Sequence, residues 1–144
     1  LNAFNVSNCK GQYGGGIYTS CESAILSNIN INGNEAGTFP SVTDSNDAKG
    51  NGGGIYTTKA GSSVSQLTMR NVLIEWNMAR TCVRSSSEDP CIYQYHDGGG
   101  FYGAETSVQL TIGHFSYNGA SRGGGAFVTG SNAMFNFTSS TFTR

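Results

Sequence analysis

Three acidic side chains, Glu88, Asp89 and Asp97, lie in one short stretch together with Arg84. Carboxylates gathered this way can hold Ca²⁺ through hard oxygen ligands, and a nearby arginine can act as a base. That is lyase chemistry on an acidic polysaccharide, and it requires the stretch to fold back on itself. Glu88-Asp89-Pro90 reads more simply as a solvated turn. A hydrolase acting on such polymers needs paired acids in an Asn-Thr-Asp, an Asp-Asp and a Gly-His-Gly. None occurs, and Gly113-His114 is followed by Phe115. No catalytic set is assigned.

His96 and His114 accompany four cysteines, Cys9, Cys21, Cys82 and Cys91. Zinc sites need Cys-x₂₋₄-Cys or His-x₃₋₅-His pairs, and neither spacing is present. The even cysteine count reads as two local disulfides, Cys9–Cys21 and Cys82–Cys91, in an oxidising compartment, with free buried thiols as the alternative. Asn5-Val6-Ser7 and Asn136-Phe137-Thr138 are formal N-glycosylation acceptors. Chance alone yields about three in a chain of this composition, so they carry little weight. No metal or cofactor is expected.

Composition narrows the partners. Charged residues make up 12% of the 144 positions, and eight Lys+Arg nearly cancel nine Asp+Glu. A nucleic-acid binder needs a basic patch to displace counterions, so that class is excluded. No apolar run approaches the roughly 18 residues of a membrane helix. Glycine, Asn, Ser and Thr dominate and prolines number two, which predicts an all-β chain with many turns. The chain opens at Leu1 without a signal peptide, as expected of a processed or partial chain.

Repeats organise the rest. Triple glycines stand at 14–16, 52–54, 98–100 and 123–125, each followed by a short apolar pair: Ile17-Tyr18, Ile55-Tyr56, Phe101-Tyr102 and Ala126-Phe127. A second motif, apolar-x-x-Asn, ends at Asn34, Asn77 and Asn118, with a degenerate copy at Asn8 and a partial one starting at Phe142. Eight residues before each Asn stand Leu26, Met69, Leu110 and, by extension, Phe137. Ten before stand Ala24, Leu67, Val108 and Phe135. A unit this small cannot bury its apolar face alone, but stacked copies pair strand on strand at about 4.8 Å and close a continuous core. Two interior ladders are therefore expected, Ile17/Ile55/Phe101/Ala126 and Ile31/Ile74/Phe115/Phe142. The glycines permit sharp bends and close backbone approach. Asn34, Asn77 and Asn118 form a turn ladder, since Asn tolerates the left-handed region and bonds along a stack. The unit is enlarged by insertions at 35–51 and 78–97, which enter at the same point and project from one side. They hold six of the nine acids: Glu35, Asp44, Asp47, Glu88, Asp89 and Asp97.

The paired motifs resemble the repeats of the chlamydial polymorphic outer membrane proteins, which carry Gly-Gly-Ala-[Ile/Leu/Val] and Phe-x-x-Asn. Gly15-Gly16-Ile17 and its relatives stand for the first, with Gly in place of Ala. Phe115-Ser116-Tyr117-Asn118 matches the second unchanged, and Ile31 and Ile74 replace its Phe elsewhere. The resemblance spans nearly everything outside the insertions. It implies a right-handed parallel β-helix of the pectin-lyase-like type on a secreted or surface-displayed protein, serving adhesion and surface architecture.

The expectation is thus one β-helix segment over 1–144, of about four to five coils and roughly 20 Å tall, at the cell surface or outside the cell. Its role is structural, in an appendage, fibre or surface protein, with self-association or neighbouring segments as partners. Strand alternation puts Tyr18, Tyr56, Tyr102 and Phe127 outside as a stripe that packs against another chain or stacks on sugar rings. An adhesin-like module gripping glycan or protein through the loop side is the alternative, and a polysaccharide-active enzyme comes third.

Overall fold

The computed structural model describes residues 2–37, 50–59, 61–84 and 89–143. Among these the chain is all-β, without a helix. It makes repeated passes through three sheets. The first pass is β1 (Asn2–Ser7), β2 (Lys10–Gly11) and β3 (Ile17–Ser20); the second is β4 (Ser23–Asn32), β5 (Glu35–Ala36) and β6 (Ile55–Thr58). The third is β7 (Ser65–Glu75), β8 (Met78–Val83), β9 (Ile92–Tyr95) and β10 (Phe101–Ala104). After these come β11 (Thr106–Ser116), β12 (Ala126–Thr129), β13 (Met134–Thr138) and β14 (Thr141–Thr143).

Each strand pairs in parallel with its counterpart in the next pass. The first sheet runs β1-β4-β7-β11-β13, with β14 also on β11; the second runs β12-β10-β6-β3; the third runs β2-β5-β8-β9. Only β8 and β9 pair antiparallel, as a hairpin. The register aligns the repeats as equivalents: Ile17↔Ile55↔Phe101↔Ala126 in one sheet and Ile31↔Ile74↔Phe115↔Phe142 in another. Ile31, Ile55, Ile74, Phe101 and Phe115 are fully buried in one core with Leu26, Leu67, Met69, Val108 and Leu110. Phe142 departs from expectation, and Phe137 beside it behaves the same way. They occupy the interior register but are 58% and 40% exposed, because no strand covers the far side of β13 and β14 among the described residues.

The glycine triplets have two separate causes. Their first members, Gly14, Gly52, Gly98 and Gly123, adopt positive φ of 57–71°. Their second members press on backbone: a Cβ on Gly15 would collide with the Gly53 carbonyl, and one on Gly53 with that of Gly99. No other residue type meets both demands.

The long strands of the first sheet contain a device that simple alternation does not reveal. Asn28, Asn71, Ile112 and Ser139 each take φ of 50–57° at equivalent positions. One left-handed residue resets the inward phase, so the buried positions run Leu26 then Ile29, and Met69 then Val72, three apart instead of two. The sheet bends along this line.

The two insertions leave from the third sheet, where β5 and β8 are paired neighbours. Residues 38–49, including Asp44 and Asp47, lie outside the described residues. The second insertion is organised by the β8/β9 hairpin.

Candidate functional site

Within each pass the turn out of the first sheet places two consecutive residues in contrasting surroundings. The second of the two is the repeated asparagine. Asn34 and Asn77 are buried. The Asn34 Nδ2 and backbone N–H both donate to Asn77 Oδ1 at 3.0 Å, and the same two bonds run from Asn77 to Asn118 Oδ1 at 3.0 Å. Each amide also donates to a main-chain carbonyl one pass back: Asn34 to Val6, Asn77 to Ile31, and Asn118 to Ile74. The turn ladder is thus a buried hydrogen-bonded stack. Its first member is not Asn8, as the motif suggested, but Cys9, whose N–H donates to Asn34 Oδ1 at 2.9 Å. Lys10 pairs with Glu35 in register, which puts Cys9 opposite Asn34 and Asn8 opposite Gly33.

The residue just before each ladder position is Asn8, Gly33, Trp76 or Tyr117, and all four have φ between 52° and 65°. Asn and Gly take the left-handed region readily; a bulky aromatic does not. Trp76 and Tyr117 nevertheless stand there, 53% and 51% exposed, with rings stacked at 4.3 Å and 10° between planes. Beside them Ser116 Oγ donates to Glu75 Oε1 at 2.6 Å, and His114 Nε2 lies 3.6 Å from the same oxygen.

The bend in the first sheet forms a cavity of about 440 Å³ open to solvent, lined among others by Asn5, Asn28, Asn30, Asn71, Ile112 and His114. Asn71 Nδ2 donates to Asn28 Oδ1 at 2.9 Å among these lining residues. Motif reading missed this second asparagine pair. The signal was available, since Asn28 and Asn71 are 43 residues apart, the same separation as Asn34 and Asn77.

The aromatic stripe stands on the outer face of the second sheet. Tyr18, Tyr56, Tyr102 and Phe127 stack in order at 5.5, 5.1 and 5.7 Å. Burial, together with the neighbouring tyrosines, pushes the Tyr56 hydroxyl above its ordinary range.

Cys82 and Cys91 form a disulfide across the hairpin, the kind of bond an oxidising environment preserves. The expected Cys9–Cys21 bridge is absent: both are free thiols. Cys9 precedes β2 and Cys21 follows β3, so different sheets hold them. Cys9 Sγ contacts the Ser7 carbonyl and Cys21 Sγ contacts Thr19 Oγ1.

The acidic stretch does not assemble a site among the described residues. Asp97 is held by Arg122 through contacts of 2.8 and 2.6 Å, Arg84 leans on Cys91 Sγ, and Glu88 lies outside the described residues. No group of three His, Cys, Asp or Glu is placed to hold a metal ion among them. His96 bonds Thr81 Oγ1 at 2.7 Å, and its burial lowers its pKa. Asn5 and Asn136 are exposed on strands of the first sheet. Among the described residues no helix is long and apolar enough to cross a membrane.

No protein-family model, curated protein or solved structure matches the chain.

Proposed function

We propose that this chain is a right-handed parallel β-helix module with a non-catalytic, structural role in an extracellular or cell-surface protein, where its end strands stack on further strands. The observation that carries this reading is the outer edge of β13 and β14. It presents Met134, Phe137 and Phe142 to solvent in interior or flanking register, all at least 40% exposed, beside unpaired strand backbone. A parallel edge of this kind is a template for the next strand, and apolar rings at its end gain about 1.5–3 kcal/mol each when covered. The repeated passes, the resemblance of the motifs to surface-protein repeats and the Cys82–Cys91 disulfide support the same role and location.

Sedimentation and electron microscopy at physiological salt, without reductant, test it. The chain is expected to form end-to-end particles whose length grows with concentration, and the double variant Phe137→Lys/Phe142→Lys to stay as single units. A wild-type chain that remains a monodisperse monomer at all concentrations overturns the reading.

A further inference from the structure

The Trp76 corner carries a feature that stacking of the module does not require. Trp76 is covered on one ring face by Tyr117 at 4.3 Å. The layer against its other face belongs to Gly33, whose N–H donates to the Glu75 carbonyl at 3.1 Å and which has no side chain to offer. One layer further stands Asn8, with Oδ1 3.1 Å from where a Cβ on Gly33 would sit. The column thus reads amide, gap, indole, phenol. The gap is one strand spacing deep, about 4.8 Å, and that is also the spacing at which a ring stacks on an aromatic face.

The surface leading from this gap to the bend fixes the chemistry of an occupant. Its outward positions include Asn5, Asn30, Asn32, Glu75 and His114, and neither they nor the corner residues include a lysine or arginine. Amides offer donors and acceptors together, which suits hydroxyl groups. None of these residues carries a fixed positive charge for an anion. The single carboxylate, Glu75, is already bonded by Ser116. An aromatic platform flanked by amides and lacking counter-charge matches an uncharged sugar, whose C–H face is apolar and whose rim is hydroxyl.

We infer that Trp76, with the gap at Gly33, is a binding platform for a pyranose ring of a neutral glycan, with the amide-lined face receiving the adjoining sugars. Two bulky aromatics held at positive φ, where the same turn elsewhere uses Asn or Gly, are the mark of a side chain kept for contact rather than for folding.

Trp76 is the one tryptophan of the chain, so its emission reports directly on this site. The full chain is titrated with cellotetraose, chitotetraose and tetragalacturonate. At least one neutral tetramer is expected to give a saturable emission change, and the anionic tetragalacturonate none. Gly33→Asn fills the gap with a residue that accepts positive φ and keeps the fluorophore; it is expected to weaken binding at least tenfold with an unchanged circular dichroism spectrum. Trp76→Asn, followed by calorimetry, is expected to lose binding while the fold persists. The inference is overturned if no neutral tetramer gives saturation, if Gly33→Asn binds as well as wild type, or if Trp76 emission changes with protein concentration alone. The last result would make the corner a contact between copies.

Discussion

Two adjacent positions of one turn follow opposite rules. At Asn34, Asn77 and Asn118 the residue type is constant and the side chain lies inside. One residue earlier, at Gly33, Trp76 and Tyr117, the type changes every pass while the backbone angle is constant. The inner position repeats because its amide must satisfy both a carbonyl and an N–H of the pass before it, and a buried polar group without partners is costly. The outer position needs only a left-handed residue, and its side chain is free to differ. Uniformity along a stack marks hydrogen-bond accounting; variation at fixed geometry marks a surface open to selection for contact.

The sharpest way to break this contrast is Asn77→Ala. It removes the acceptor of the Asn34 N–H and Nδ2 and the donor to the Ile31 carbonyl, all buried. Stranded groups of this kind cost about 1–3 kcal/mol each, so a loss of about 4 kcal/mol is expected from urea unfolding. That is a large share of a domain's usual stability. A loss under about 1 kcal/mol would mean that water replaces the ladder and that the turn, not the stack, explains the repeat.

Asn71→Ala sharpens the comparison from the other side. Asn71 and Asn28 form the same kind of pair at the same separation, but in the open cavity. Water takes over the lost bond, leaving mainly the preference of Asn over Ala for positive φ. The expected loss is about 1 kcal/mol. Equal effects from Asn71 and Asn77 would show that burial does not set the strength of either pair.

These differences also explain what sequence could and could not show. The glycine triplets and inner asparagines were legible because backbone collision and buried amide bonding each admit almost one residue type. The parallel register followed from them. Cys9 was not legible as a ladder member, since in the first pass only its N–H is used and any residue supplies that. The bend at Asn28, Asn71, Ile112 and Ser139 was hidden because left-handed backbone leaves no single signature in side-chain type, and it breaks the alternation used to find strands. Phe142 was placed in the correct register but not at the correct exposure, which depends on a neighbour strand and not on its own repeat. Trp76 and Tyr117 occupied the variable positions of the motif and were passed over for that reason.

The smallest expected effect bears most on why Trp76 stands where it does. Trp76→Asn removes a stacked pair worth about 0.5–1.5 kcal/mol and relieves a left-handed conformation that costs a bulky residue about 1–2 kcal/mol. The terms oppose, so stability is expected to stay within about 1 kcal/mol of wild type by urea unfolding, with either sign. Near-neutrality is the informative result. A large exposed aromatic that contributes nothing to the fold, in a conformation that Asn or Gly would adopt more readily, has its reason outside the fold. A loss above about 2 kcal/mol would instead make the Trp76–Tyr117 stack a structural clamp on the corner, so the gap at Gly33 would be no more than an interruption in it.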